Sequence, residues 1–288
     1  MDIAIHLGAH CTDEDRILRA LQGDGKMLAA HGVVVPHPGR ARPALRKALQ
    51  AGKGSLLPGA GKALTTELLE GATASRIILS HEGFLGSYAR IMVDNAIYSD
   101  AGDKAVALRD LFPGHQCAFY LGIRNPATFI PALFEASSIE DFGTFVAGQD
   151  VGQVAWSPVI DTIRQACPDV PLTVWCNEDL PLIWPDILQA VSGVAERHSS
   201  DDMILREVMT EAGFKRLQTY LRDNPTPTLT MWRKVITAFL GKYADESKVE
   251  EEISLPGWSQ EVIATLTHLY ERDLDAIRSR ADITFLAP

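Results

Sequence analysis

Four short apolar runs, at residues 3–7, 76–80, 117–123 and 172–176, recur along the first two thirds of the chain with helical stretches between them. Each is nearly continuous in apolar residues instead of alternating. That is the pattern of a strand covered by helices on both faces. Strands of this kind run parallel and are joined by right-handed helical crossovers. The expected architecture is therefore α/β: an open, mostly parallel, doubly wound sheet flanked by helices. A helix is expected from about residue 13 to residue 30, a brief extended piece at 33–35, and helices at 44–51 and 62–69 on either side of a Gly-rich loop at 52–61. Further helices are expected at about 84–98, 103–111, 127–136 and 155–166.

Past Asp179 the texture becomes helical throughout, with expected helices at 181–193, 202–222, 229–243 and 258–280. The breaks fall at Asn224-Pro225-Thr226-Pro227 and Leu255-Pro256-Gly257. The expected organisation is an α/β core over 1–195 and a helical C-terminal region over 196–288 packed on it within one domain. A chain of 288 residues is long enough for that core.

Lys and Arg total 27 against 37 for Asp and Glu, a formal charge of -10. This excludes a general nucleic-acid binder, which needs a positive field to displace counterions. One basic segment stands out (Arg40, Arg42, Arg46, Lys47 and Lys53), and its plain reading is a solvated helix face. The four cysteines show no CxxC spacing, and no apolar run approaches the ~20 residues of a membrane span. With no charged-then-apolar leader, the expectation is a reduced, cytoplasmic protein with no membrane partner.

The first strand runs into Leu7-Gly8-Ala9-His10-Cys11-Thr12 and then an amphipathic helix, the layout that presents a helix N-terminus to a phosphate. Ile77-Ile78-Leu79-Ser80-His81-Glu82 follows as a second strand with a polar tip. Then come Phe119-Tyr120-Leu121-Gly122-Ile123-Arg124-Asn125-Pro126 and Val174-Trp175-Cys176-Asn177-Glu178-Asp179-Leu180. In this order the blocks resemble bacterial sulfotransferase-like proteins of the P-loop NTPase superfamily. The resemblance implies a P-loop NTPase-like sheet and a 3′-phosphoadenylyl sulfate donor, with a nucleotide or small-molecule ligand as partner. It places the donor's 5′ end at Gly8, His10, Cys11 and Thr12 and its 3′-phosphate at Arg124. His81 or Glu82 becomes the general base for sulfuryl transfer.

The departures from that family are chemical. Cys11 stands where the family has a loop lysine, and Asp13, Glu14 and Asp15 stand where it has Gly-Thr-Thr. Ala132 replaces the serine eight residues after Arg124. Two anions ~4 Å apart repel by about 4 kcal/mol at an effective dielectric near 20. A helix N-terminus returns only ~0.3–1 kcal/mol to an anion. The acids also fit a plain structural role, with Thr12 as N-cap and Asp15 three residues on. The expected function is accordingly a sulfotransferase-like pseudoenzyme or binding protein that has lost ordinary sulfuryl transfer. The alternatives are an active sulfotransferase with an atypical loop, and a metal-assisted enzyme using His10, His81 and the acidic loop. His6, inside the first strand, is expected to be a hydrogen-bonded core histidine, and the five tryptophans to be packing residues.

Overall fold

The apolar runs become the central strands of a parallel sheet, seen here in a computed structural model that describes residues 1–51, 59–249 and 253–288. Most of the expected 52–61 loop, including Lys53, falls outside the described residues. The strands are β1 (Asp2–His6), β2 (Val33–Val34), β3 (Arg76–Ser80), β4 (Met92–Val93), β5 (Ala96–Ile97), β6 (Gln116–Ile123), β7 (Leu172–Cys176) and β8 (Thr284–Leu286). Six of them form one sheet in the order β2-β3-β1-β6-β7-β8, every neighbouring pair parallel. The α/β architecture expected from the pattern is present. β8, a short strand at the sheet edge, was not among the expected strands.

Alternation along β1 assigns its side chains to two layers. Ile3, Ile5 and Leu7 face one core. Its helices are α3 (Pro38–Ala51), α4 (Ala60–Leu69), α5 (Ala101–Asp110), α6 (Pro126–Ala136), α8 (Ser157–Ala166) and α14 (Gln260–Arg278). Ala4 faces the other core, under α1 (Arg16–Gly23), α2 (Gly25–Ala30) and α9 (Leu180–Ser192). Both faces of β1 are thus sealed, which is why the run carries apolar residues at consecutive positions. A third, smaller core joins α10 (Met203–Val208), α11 (Glu211–Asp223) and α12 (Leu229–Tyr243) around Leu205, Phe214, Leu217, Trp232 and Ile236.

Three expected helices differ from those observed. The 13–30 helix is two, broken at Asp24, whose carboxylate leaves the helical path to accept from His198 Nδ1 at 2.9 Å and from the Ser199 amide at 3.1 Å. The 202–222 helix breaks at Met209, which is extended, and restarts with Thr210 capping the Gly213 amide. The expected 84–98 helix is instead two 3₁₀ turns (Glu82–Phe84 and Tyr88–Arg90) followed by the β4–β5 hairpin. Asp94 and Asn95 both take positive φ there, 52° and 63°, as a two-residue hairpin turn demands. Among the described residues no helix is long and apolar enough to cross a membrane.

The chain leaves β1 for β2 and then β3 on one side and later places β6 on the other. The gap above the C-terminal ends of β1 and β6 is a topological switch point, where open α/β sheets bind ligands.

Candidate functional site at the β1 loop and the switch-point cleft

β1 ends at His6, and the following loop is held in an unusual backbone. Gly8, Ala9, Cys11, Glu14 and Asp15 all have positive φ. Four of these five are not glycine, and each such residue costs on the order of 1 kcal/mol or more. Gly8 is required twice over. Its φ is +83°, and a Cβ there would lie 2.3 Å from Glu82 Cα. The tips of β1 and β3 therefore touch backbone to backbone, which brings the loop up to His81 and Glu82.

The loop's amides are engaged by the protein itself. The His10 amide donates to the Tyr98 hydroxyl at 2.9 Å, and the Glu82 carboxyl lies beside Cys11. The Arg16 amide donates to the Asp13 carbonyl at 2.9 Å, and the Ile17 amide donates to Asp13 Oδ1 at 2.9 Å. Asp13, not Thr12, thus accepts from the first turn of α1. Thr12 turns its hydroxyl back to the Ala9 carbonyl at 2.6 Å, so the expected Thr12–Asp15 capping box is absent. Asp15 pairs with Arg42 at 2.5 Å, and Arg16 reaches both Glu14 and Glu207. Arg42 of the basic segment is therefore committed to the acidic loop and is not part of a solvated face.

Electrostatics follow from burial. Desolvation pushes Asp13 up to about 7, against the opposing bond from Ile17. His6, stacked on Trp175 and bonded to Ser80 Oγ at 2.8 Å, is lowered to about 4 by burial. It is the core histidine expected. His10 is also lowered to about 4, by burial and then by His81; its Nδ1 lies 3.0 Å from the Tyr98 hydroxyl. Cys11 rises to about 11 through burial, so it is a neutral thiol near pH 7. His81 is lowered by burial and by Arg42, and its Nδ1 is buried without a partner. Glu82 is raised, again mainly by burial. His10, Cys11, His81 and Glu82 thus share one neighbourhood. Among the described residues, no three His, Cys, Asp or Glu side chains form a group that could hold a metal ion. The metal-assisted alternative gains no support from this arrangement.

Arg124, at the end of β6, spans from the loop to α6. Its Nη1 donates to the Cys11 carbonyl at 2.7 Å and its Nε to Thr128 Oγ1 at 3.0 Å. Its own carbonyl accepts from Trp156 Nε1 at 2.8 Å. Next to it Glu178 Oε1 accepts from the Asn125 amide at 2.7 Å, while Oε2 accepts from the Tyr270 hydroxyl at 3.1 Å. Arg124 also lines a cleft of about 450 Å³ that opens between the strand ends and α9, α10 and α12. That volume suits a small molecule.

Tyr88, whose ring meets His10 edge-on at 4.4 Å, and Tyr98, which bonds the His10 amide, were hidden by the expected 84–98 helix. The adjacent Asp94-Asn95 pair was the turn signal that argued against a helix. A second arrangement had no local signature at all. Ser192 Oγ lies 3.2 Å from His198 Nε2, and His198 Nδ1 lies 2.9 Å from Asp24 Oδ2. The contacts run in the order of a catalytic triad. Ser192 is fully buried, however, and its oxygen also accepts from the Val194 amide. This set ties the end of α9 to the α1–α2 break.

No protein-family model and no curated protein matches the chain.

The donor implied by the family resemblance fits these residues poorly. Its 5′ end would need a cation at position 11 and open amides at the helix N-terminus. The loop has a thiol there, a buried carboxyl on the Ile17 amide and the Tyr98 hydroxyl on the His10 amide.

Proposed function

We propose that the protein is a sulfotransferase-like binding protein that no longer carries out donor-dependent sulfuryl transfer. The observation that carries this is the occupation of the loop's amides by Asp13 and Tyr98. The Asp13 carboxyl and the Tyr98 hydroxyl take amides that an anionic ligand would use, so a phosphate would have to displace them and then sit beside Glu14, Asp15 and Glu82. At close range that repulsion exceeds the anion affinity of a helix end. Arg124 supports the same reading, because its guanidinium braces the loop through the Cys11 carbonyl.

Titration with 3′-phosphoadenosine 5′-phosphate tests this. The expected result is no heat of binding and no thermal stabilisation at millimolar nucleotide, since any ligand selective for the native state raises the melting temperature. Micromolar binding would overturn the proposal. In the double variant Cys11→Lys, Asp13→Gly the missing cation returns and the Ile17 amide is released. Nucleotide stabilisation is expected to appear there if the loop chemistry is what excludes the donor.

A further inference from the structure

The cleft beside Arg124 has two unlike walls. Leu180, Leu182, Ile204, Val208 and Leu240 form an apolar one, contributed by α9, α10 and α12. The other carries Arg16, Arg124 and Lys248 against Glu178 and Glu207, an excess of one cation in a chain of net charge -10. Glu178 is turned inward, with both oxygens bonded to Asn125 and Tyr270. Glu207 is the exchangeable anion. It holds Arg16 Nε at 2.7 Å across the cleft, and its side chain is 39% exposed.

We propose that this cleft takes a small molecule with an apolar body and a single anionic head group, the head exchanging with Glu207 on Arg16. The proposal rests on the reading that the site binds a ligand without receiving a sulfuryl donor. An Arg fork matches a carboxylate or similar oxyanion in two parallel bonds, which a water shell does not reproduce in a half-enclosed site. The apolar wall removes the ligand's body from water in the same event. The Arg16–Glu207 pair then acts as a resident competitor.

Calorimetric titration of the full chain with sodium octanoate tests the idea, with octylammonium as the opposite-charge probe and 3′-phosphoadenosine 5′-phosphate run alongside. Octanoate is expected to saturate one site and to bind at least tenfold more tightly than octylammonium. Glu207→Gln, a conservative change at a part-exposed side chain, should tighten octanoate about threefold or more by freeing Arg16 Nε, while Nη2 keeps its contact with Glu14. Arg16→Gln should weaken it about tenfold. Ala244→Phe, which fills the cleft, should abolish it while leaving the circular dichroism unchanged. Absent octanoate binding, equal affinity for the two charges, or a Glu207→Gln variant that binds octanoate no better would each overturn the proposal. If neither octanoate nor the nucleotide binds, the cleft inference falls and the loss of donor binding stands. If octanoate binds and micromolar nucleotide displaces it, the cleft stands and the lost-donor reading falls.

Discussion

Replacing Asp13 by asparagine should change how stability depends on pH, with a sign set by burial. The Asp13 carboxyl is buried under the β1 loop and pushed from 3.8 up to about 7. Between those values the native state keeps a proton that the unfolded chain has released. The stabilisation this gives is full below about pH 4 and is lost as pH rises through about 7. Three pKa units correspond to about 4 kcal/mol. Asparagine keeps an oxygen to accept from the Ile17 amide and has no ionised form to bury. The unfolding free energy of Asp13→Asn relative to the unmodified protein should therefore climb by on the order of 3–4 kcal/mol between pH 4 and pH 8. His6 acts in the opposite sense. Lowered to about 4, it contributes stability that is full above about 6.5 and lost as pH falls toward 4. The two slopes oppose each other across that window in the unmodified protein, and the variant leaves His6 uncompensated. Urea unfolding followed by circular dichroism at half-unit pH steps measures the difference and cancels the remaining acids. A flat difference would refute the argument. So would one that falls as pH rises, the behaviour of a carboxylate held by a cation.

Gly8→Ala should destabilise the fold by more than about 2 kcal/mol, read in urea unfolding, because it adds left-handed strain and a clash with the Glu82 backbone. Cys11 should react slowly with a thiol-specific disulfide reagent at pH 7.5, and its rate should rise with pH toward about 11; fast labelling at neutral pH would contradict a thiol raised by burial. Arg124→Ala should cost about 2 kcal/mol and raise amide exchange in the β1 loop first, since the guanidinium links the Cys11 carbonyl to Thr128. His198→Ala should cost about 3 kcal/mol in thermal or urea unfolding by stranding the buried Asp24 carboxylate, with loss of protection at the α1–α2 break.

Legibility along the chain follows interaction range. The central strands were readable because burial on both faces leaves an uninterrupted apolar run, and most long amphipathic helices were readable for the same local reason. β8 was not, because a three-residue edge strand has too little pattern of its own and exists by pairing with β7. The 84–98 segment misled because apolar residues spaced through it mimic a helix period, while its hairpin depends on two left-handed residues at Asp94 and Asn95. The breaks at Asp24 and Met209 come from partners far away in sequence, His198 and the chain before Asp245.

At the site, the residue types already set the chemical limits. A loop with no Lys or Arg over residues 7–15 and with acids at positions 13, 14 and 15 lacks the charges for a tightly held phosphate. Which group then fills the loop was beyond any local pattern. Asp13 had to be buried to reach the Ile17 amide, Glu82 had to arrive just past the end of β3 to lie beside Cys11, and Tyr98 had to cross from the hairpin to His10. Each of those contacts depends on the sheet order and on close packing at Gly8. Burial, which the folded chain alone supplies, is also what moves Asp13 to about 7 and His6 and His10 to about 4.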